Sequence, residues 1–280
     1  MKNRAVLLAM SLLWGCEDPL KPAQRIDEPR VLAARVSTAT GDASLVPGES
    51  AEAAALLAGP DGPLTARLAY RICPAAESQR GVPYCTGDTI ATGTTDADAG
   101  AVAFEVAPTV GSGVRLALLG AACLDGEPEL GDSPLGWSCS SGAPPLGFTF
   151  DAYTLYRAPQ ANPDLARFSA KIARRSVEVS PASTTAACDA ANPEVAASET
   201  HVVELELGDS AREPQETLQL SHFSTRGDFE RHFSFVEPER EPRVSLTWQA
   251  PSEAGPVKQY LVVRDGRGGV SWATWNFCVR

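Results

Sequence analysis

The chain has 280 residues, with 35 acidic and 24 basic side chains and a formal net charge of −11 at pH 7. Nucleic acid and anionic lipid surfaces bind basic faces, so this charge balance argues against both as partners. Hydrophobic residues make up 44% of the chain, which is enough to bury a core and excludes a disordered stalk. The length suits two domains of ordinary size.

The N-terminus combines a short positive region with an apolar run that stops at a cysteine. Lys2 and Arg4 precede the apolar segment 5–14, which has the length of the hydrophobic part of a secretory signal. A membrane-spanning helix needs about 20 apolar residues, so this segment is too short to remain as a transmembrane anchor. The sequence EDP directly after Cys16 offers no A-x-A-like cleavage site.

The residues LWGC at 13–16 resemble the lipobox of bacterial lipoproteins. This resemblance implies cleavage before Cys16, attachment of diacylglycerol to its thiol and acylation of the new amino group. It predicts a signal peptide over 1–15 and a polar, Pro-containing tether over 16–29. In enteric bacteria an Asp directly after the lipidated cysteine retains lipoproteins in the inner membrane, so Glu17 favours the outer membrane. Ordinary secretion is the alternative.

Six cysteines remain when Cys16 is assigned to lipid, and an even number in an exported chain indicates three disulfides. Six cysteines allow 15 pairings, and we predict the nearest-neighbour set. The predicted pairs are Cys73–Cys85, Cys123–Cys139 and Cys188–Cys278. No C-x-x-C is present and no cysteine has zinc-site spacing to a histidine, so we expect neither a metal site nor a cofactor.

The first half of the chain reads as short β-strands separated by Gly, Pro and Asp. From residue 30 onward the runs are RVLAARVS, SAEAAALLAG, TARLAYRIC, TIATGTT, GAVAFEVAP, RLALLGAACL and LGFTFDAYTLY. A turn signal about every ten residues is typical of a sandwich. The run SAEAAALLAG is predicted as a strand because turn sequences flank it, although its alanines also suit a short helix.

The second half shows clearer alternation of apolar and polar residues. In HVVELEL, the side chains of Val203, Leu205 and Leu207 share one face. In FERHFSFV, alternation predicts that Phe229, Phe233 and Phe235 share a face with Arg231. The sequence DGRGG lies between two β-rich runs near the C-terminus, and its glycines supply the positive φ of a tight hairpin turn.

About seven or eight strands in each half match immunoglobulin-like sandwiches. We therefore predict an all-β protein with two immunoglobulin-like β-sandwich domains in tandem, 30–157 and 163–280, after a lipoprotein signal peptide. The motifs TTDADAGAVAFEV and VPGES resemble turns of bacterial Ig-like surface repeats. The segment VVRDGRGGVSW resembles a region of uncharacterised lipoproteins of high-GC gliding bacteria. These resemblances concern turn geometry and imply no catalytic residue.

Two G-D-S sequences, ending at Ser133 and Ser210, resemble the opening motif of lipase/esterase-type hydrolases. The D-x-x-H that would supply acid and base is absent, and so is G-x-S-x-G. The histidines, His201, His222 and His232, have spacings that suit structural or exposed roles better than a shared site. Acidic loops at 96–98 and 125–132 lack the calcium-loop pattern. We expect no catalytic site.

Three tryptophans are candidate ligand-contact residues: Trp137, Trp272 and Trp275. Trp272 and Trp275 have opposite parity along the last strand, so at most one of them faces the core. An outward ring would suit sugar or peptide, and burial against a loop or the other domain explains it equally well. The predicted function is binding or scaffolding by an envelope lipoprotein held in the membrane through Cys16.

The expected partner is an envelope protein or polysaccharide, and nucleic acid is not expected. The predicted location is the cell envelope, the outer membrane rather than the inner, facing the periplasm or the cell surface. A hydrolase acting on an envelope polymer and a structural subunit of an envelope complex are the alternatives.

Overall fold

The computed structural model describes residues 22–77, 83–95, 101–111, 113–131, 137–154, 160–180, 187–189, 192–211 and 213–280. Within these ranges the chain is built of strands, with one short 3₁₀ turn at Asp209–Ala211. The strands form two sandwiches, which we call the first sandwich (30–154) and the second sandwich (169–279). The prediction of an all-β sandwich protein is confirmed. The division into two separate folding domains stays a prediction.

The first sandwich packs two sheets around one core. One sheet has the order β1-β3-β4, with β8 also paired to β3, and the other has the order β2-β12-β9-β5-β6, with β7 also paired to β5. A two-stranded ribbon, β10-β11, completes it. The strands are β1 Arg30–Thr38, β2 Ser44–Leu45, β3 Ser50–Gly59, β4 Gly62–Pro63, β5 Arg67–Glu77, β6 Pro83–Cys85, β7 Ala91–Thr94, β8 Ala101–Glu105, β9 Arg115–Cys123, β10 Pro128–Glu129, β11 Ser138–Cys139 and β12 Leu146–Thr154.

The second sandwich also consists of two sheets. Its sheets have the orders β14-β13-β17-β21-β19 and β15-β23-β22-β18-β20, with β16 paired to β23. The strands are β13 Ser169–Ile172, β14 Arg175–Val177, β15 Val179–Ser180, β16 Glu194–Val195, β17 Thr200–Glu206, β18 Leu218–Ser224, β19 Asp228–Phe229, β20 Phe233–Val236, β21 Arg243–Gln249, β22 Gly255–Arg264 and β23 Val270–Val279.

The segment with the ambiguous alanines is a strand. β3 pairs with β1 over Ala51–Ala58 and with β8 over Ser50–Ala54, so it lies between two strands for almost half its length. Small side chains pack well in such a central position, and sheet pairing overrides their intrinsic helix preference. The predicted strand is confirmed and the helix is not formed.

The predicted hairpin at DGRGG is confirmed. β22 and β23 pair along ten residues each, and Gly266 and Gly268 have φ of 74° and 99°. The carboxylate of Asp265 closes the turn by accepting hydrogen bonds from the backbone N–H of Arg267 (2.7 Å) and of Gly269 (2.9 Å). A Cβ on Gly269 would lie 2.2 Å from Asp265 Oδ2, so the close approach itself requires glycine.

The three disulfides are those predicted from nearest neighbours: Cys73–Cys85, Cys123–Cys139 and Cys188–Cys278. The first two fasten loops over the outer face of β5 and β9 in the first sandwich. The third joins Cys188, in the segment before β16, to Cys278 near the end of β23. The loop that it closes contains most of the sequence of the second sandwich. Three disulfides indicate that the protein matures in an oxidising, extracytoplasmic compartment.

Both sandwiches contain central strands that are buried on two faces. In β22, Val257, Leu261 and Val263 face the core of the second sandwich, while Tyr260 and Val262 face the first sandwich. The residues that meet there form the inter-sandwich cluster, consisting of Ile26, Leu32, Ala33, Leu56, Ala58, Tyr260, Val262, Val270 and Trp272. The two sandwiches thus share a buried apolar contact instead of being joined by a linker alone.

Polar groups from the connection between the sandwiches fix this contact. Asn162 donates to the carbonyls of Val36 (3.3 Å) and Gly41 (3.1 Å) and accepts from the backbone N–H of Val270 (2.8 Å). Gln160 Nε2 donates to Asp265 Oδ2 (2.6 Å). Asn162 therefore bridges both sandwiches through its side chain, and Gln160 does so through its side chain and its carbonyl, which accepts from the N–H of Ala43 (2.7 Å).

Residues 24–26 of the predicted tether are packed against the body of the protein. Ile26 is completely buried in the inter-sandwich cluster, and its N–H donates to the carbonyl of Ser224 (2.9 Å). Arg25 forms an ion pair with Asp228. Residues 24–26 are therefore part of the folded body, whereas residues 22, 23 and 27–29 are exposed, and the tether outside 24–26 stays a prediction.

Removal of the long-range disulfide is expected to destabilise the protein more than removal of a short-range one. Cys188 and Cys278 lie 90 residues apart, whereas Cys73 and Cys85 lie 12 apart. In the chain-entropy model, C188S/C278S loses about 4–5 kcal/mol and C73S/C85S about 3 kcal/mol. Equilibrium urea unfolding of the two double variants checks the order. Equal losses would show that the closed loop is not what stabilises the fold.

Truncation of the interface tryptophan tests whether the two sandwiches support each other. Trp272→Ala removes a large buried side chain and the ring on which the Arg35 guanidinium stacks at 4.4 Å. The expected loss of unfolding free energy is about 3–5 kcal/mol. The exposed Val202→Ala is the matched control, with an expected change within about 0.5 kcal/mol. Denaturant unfolding followed by circular dichroism measures both.

Candidate functional site

The three candidate ligand-contact tryptophans, Trp137, Trp272 and Trp275, are all buried. Trp275 lies in the core of the second sandwich, and its indole N–H donates to Gln259 Oε1 (3.0 Å). Trp272 faces the other way, as its parity predicts, and is covered by the first sandwich. Of the two alternatives left open by the sequence, burial is the one observed for Trp272, because the first sandwich covers the outer face of the last strand.

Trp137 is separated from the other two and packs on the outer face of the first sandwich. It belongs to a small cluster with Cys73, Ala117, Leu119 and Ala121. The loops held by the first two disulfides therefore cover a second apolar face. Trp137 is part of this cover, and its buried ring is not exposed to a ligand.

The histidines occupy three different environments. His201 is buried, and its Nε2 lies 3.0 Å from the carbonyl of Ala196, beside the Trp248 ring. His222 is buried between the sheets of the second sandwich, and His232 is exposed next to Phe233. The structure brings His222 and His232 close, since the backbone N–H of His222 donates to the carbonyl of His232 (2.9 Å).

His222 and Ser234 form a contact with the geometry of a nucleophile and its base. Nε2 of His222 lies 3.1 Å from Oγ of Ser234, which also accepts a hydrogen bond from Arg231 Nε (2.9 Å). Burial, followed by the positive charges of Arg231 and His232, lowers the pKa of His222 to about 3. A base this weak does not activate a hydroxyl at neutral pH.

The orienting acid of a catalytic triad is also missing from this contact. Nδ1 of His222 is buried and has no hydrogen-bond partner among the described residues. Ser234 is buried as well, so a substrate carbonyl has no approach to its oxygen. The buried contact between His222 and Ser234 therefore has a structural role in the second sandwich.

Lys258 is a second buried titratable group in the described chain. Its ammonium donates to Asn276 Oδ1 (3.3 Å) and lies 5.7 Å from the centre of the Tyr260 ring. Burial lowers the pKa of Lys258 to about 8. A lysine with this pKa is a good nucleophile when a carbonyl compound can reach it, but the side chain is completely enclosed.

A cleft of about 420 Å³ lies at one end of the second sandwich. Three carboxylates and two guanidinium groups contribute to its wall, which consists of Arg167, Glu206, Gly208, Asp209, Glu241, Pro242 and Arg243. Arg243 and Glu206 approach to 3.7 Å across neighbouring strands. The cleft is polar and contains groups of both charges, so it suits a small polar ligand with both signs of charge.

The remaining residues considered from sequence are placed as follows. Ser210 lies in the 3₁₀ turn after β17, and Ser133, Asp96, Asp98 and Cys16 fall outside the described residues. In the ranges that are described, no three His, Cys, Asp or Glu side chains come close enough to hold a metal ion. No helix there has the length and apolar character needed to cross a bilayer.

The surface that sequence reasoning missed is an exposed aromatic edge. We use the name aromatic edge for His232, Phe233 and Phe235, which lie on or next to β20 at the free side of one sheet. The Phe233 and Phe235 side chains are 39% and 52% exposed, and their rings pack at a centroid distance of 5.5 Å. Phe233 also contacts the His232 ring, at 4.5 Å.

The prediction that Phe229, Phe233 and Phe235 share a face with Arg231 is wrong. Phe229 ends β19 in one sheet and is buried, whereas Phe233 begins β20 in the other sheet and is exposed. The chain crosses between the sheets at 230–232, and this crossing changes the parity. Ser234 and Val236 face the core instead.

Comparison with known proteins identifies no relative at the sequence level. No model of a known protein family matches the chain, and no curated protein matches it. A glycosyl hydrolase family 2 member from Bacteroides cellulosilyticus aligns over 84% of this chain and 23% of its own length, with a TM-score of 0.24 and 11% identity. This chain thus spans less than a quarter of that hydrolase.

Two further solved structures show similar values. The chicken CNTN1 FN1-FN3 domains align over 91% of this chain and 68% of their own, with a TM-score of 0.26 and 12% identity. A family 2 β-glucuronidase aligns over 90% of this chain and 20% of its own, with a TM-score of 0.22 and 10% identity. The sandwich assignment therefore rests on the strand pairing within this chain.

The buried histidine predicts a specific acid sensitivity. His222 protonates near its ordinary pKa of about 6.5 when unfolded and only at about 3 when folded. Between these values the unfolded chain binds more protons, so the unfolding free energy falls as pH decreases from about 6.5 towards 3, by up to about 1.4 kcal/mol per pH unit. His222→Asn removes this contribution, and urea unfolding at several pH values should show a shallower dependence. An unchanged slope in the variant would contradict the assignment.

Proposed function

We propose that the protein is a lipid-anchored envelope protein that acts by binding or scaffolding and not by catalysis. The observation that supports anchoring most strongly is the cysteine pairing. Six cysteines are consumed by three disulfides, which leaves Cys16, the cysteine of the lipobox-like sequence, as the one without an assigned partner. Acyl chains on Cys16 and its amino group would hold the protein stably, because two or more chains suffice for anchoring.

The position after the cysteine supports the outer membrane as the site of anchoring. Glu17 stands where an Asp would favour retention in the inner membrane. The oxidised sandwiches would then face the periplasm or the cell surface. An envelope protein or polysaccharide remains the proposed partner, and the net negative charge disfavours nucleic acid.

The form of the described chain supports binding over catalysis. The buried contact between the sandwiches produces one extended body, and its exposed features are an aromatic edge and a polar cleft. The one serine–histidine contact described above is enclosed and lacks an acid on His222 Nδ1. Such a body offers surfaces to which a partner can bind. The His222–Ser234 contact supplies no accessible nucleophile.

A hydrolase acting on an envelope polymer is the second candidate, and the cleft is the observation that favours it. Glu206, Asp209 and Glu241 line one side of a space large enough for a sugar unit. Two carboxylates are what glycoside hydrolysis requires. Loss of a measured polymer-cleaving activity in E241Q, with unchanged unfolding, would establish this alternative.

Acylation of Cys16 is the direct test of the proposed anchor. The full chain is expressed in a bacterial host with lipoprotein-processing enzymes, and the membrane-extracted product is analysed by intact mass spectrometry. We expect a chain that begins at Cys16 and carries acyl groups, and that partitions into the detergent phase of a Triton X-114 extract. Cys16→Ser should keep residues 1–15 and carry no lipid.

The double variant C188S/C278S is the matched control for this experiment. It also replaces cysteines with serines, but it leaves the lipobox-like sequence intact, so acylation should persist. A wild-type product that is free of lipid, or that begins at a residue other than Cys16, would overturn the anchor.

A further inference from the structure

The N-terminal segment joins the same sheet edge that carries β20. On one side, β18 pairs with β22 along Gln219–Ser224. On its other side, β20 and His232 cover β18 as far as His222, and the backbone groups of Ser224 bond to residues 24–26. The N–H of Ser224 donates to the carbonyl of Gln24, and the N–H of Ile26 donates to the carbonyl of Ser224, both at 2.9 Å.

A side-chain hydrogen bond and an ion pair hold residues 24 and 25 beside β19, just before the chain passes from one sheet to the other at 230–232. Gln24 Nε2 donates to the carbonyl of Phe229 (2.8 Å), and Arg25 pairs with Asp228. His222, two residues before Ser224 on β18, bonds to His232. With about 3.4 Å per residue along a strand and about 4.8 Å between strands, Phe233 lies about 10 Å from Gln24.

The length of chain before Pro22 limits the distance to the proposed anchor. Six residue steps separate Cys16 from Pro22, and an extended chain spans at most about 3.6 Å per residue. The lipid-bearing sulfur therefore lies within about 22 Å of Pro22, wherever residues 17–21 run. Phe233 and Phe235 follow Gln24 along the same edge of β18, at about 10 Å and about 17 Å, so the anchored chain enters on the side of the body that carries them.

We propose, building on the lipid anchor proposed above, that Phe233 and Phe235 insert into the bilayer interface as a second contact with the membrane. Both rings are exposed, they pack against each other, and they project from an edge strand instead of from the middle of a face. Aromatic rings are stable at the boundary between headgroups and acyl chains. The contact fixes which side of the body faces the membrane.

The charges around the aromatic edge indicate which lipids it suits. Glu230 and Arg231 pair at 3.0 Å, and Arg25 is neutralised by Asp228. The chain as a whole is acidic. Neutral, zwitterionic headgroups are therefore the expected surface, since anionic lipids attract clusters of uncompensated basic residues. A partner protein that adds a strand to β20 is the competing occupant.

Fluorescence quenching by brominated lipid tests the contact on the full, processed protein. Phe235→Trp is reconstituted into phosphatidylcholine vesicles with and without dibromo-phosphatidylcholine, and wild-type protein corrects for the native tryptophans. Tyr84→Trp and Val202→Trp are matched controls, because Tyr84 and Val202 are 49% and 50% exposed but lie on the first sandwich and on the opposite sheet. Phe233→Trp is a second probe should F235W fail to fold.

We expect quenching of F235W, or of F233W, to exceed that of both controls by about twofold or more, since an interfacial ring lies about 5–10 Å into the lipid. Flotation with the vesicles is scored for every variant. Protein that floats but shows control-level quenching at both probes overturns the aromatic contact and leaves the anchor in place. Wild-type protein that does not float overturns the anchor, and the contact with it.

Discussion

The arrangement of the whole molecule depends on burying the outer face of the β22–β23 hairpin. The two strands carry apolar or aromatic side chains on both faces, with Val257 and Leu261 on one side and Tyr260, Val262 and Trp272 on the other. A sheet in a lone sandwich buries only one face, so the second face requires a cover. The first sandwich supplies it through β1 and β3, and Ile26 fills the remaining gap.

Arginine side chains complete the edge of this interface. Arg35 stacks on Trp272, Arg30 lies 5.5 Å from the Phe223 ring centre, and Arg264 donates to the carbonyl of Leu32 (3.2 Å). Burial lowers the pKa of Arg264 to about 10, which leaves it charged at neutral pH. Guanidinium groups tolerate such positions because they stack on rings and keep several donors. The interface therefore combines an apolar centre with a cationic, hydrogen-bonded rim.

In the first sandwich, disulfide-bonded loops cover the outer face of a central strand. Its central strand β9 is also buried on both faces, with Leu116 and Leu118 inward and Ala117 and Leu119 outward. Loops fastened by Cys73–Cys85 and Cys123–Cys139, together with Trp137, cover the outer face. The two central strands β9 and β22 therefore carry no exposed apolar face, and the exposed rings of Phe233 and Phe235 lie on an edge strand. The proposed binding functions are placed at this aromatic edge and at the polar cleft.

The sequence by itself determined what depends on local pattern. Alternation defined the inward residues of β17, the glycines of DGRGG defined the hairpin, and the even cysteine count indicated three disulfides, for which the nearest-neighbour pairing agreed with the structure. These features depend on neighbours within a few residues, or on an even cysteine count in an exported chain. The sequence also supplied the lipobox-like motif on which the proposed anchor depends.

Only the tertiary structure decided what covers each face. Parity correctly separated Trp272 from Trp275, but only the packing of the first sandwich shows that the outward ring is buried. Residues 24–26 belong to a segment with the composition of a tether, and only the tertiary structure shows that they bond to the edge of β18. The exposure of Phe233 and Phe235 arises where the chain crosses between sheets. Periodicity identifies the two sides of a strand, whereas the identity of the covering element depends on contacts between residues distant in sequence.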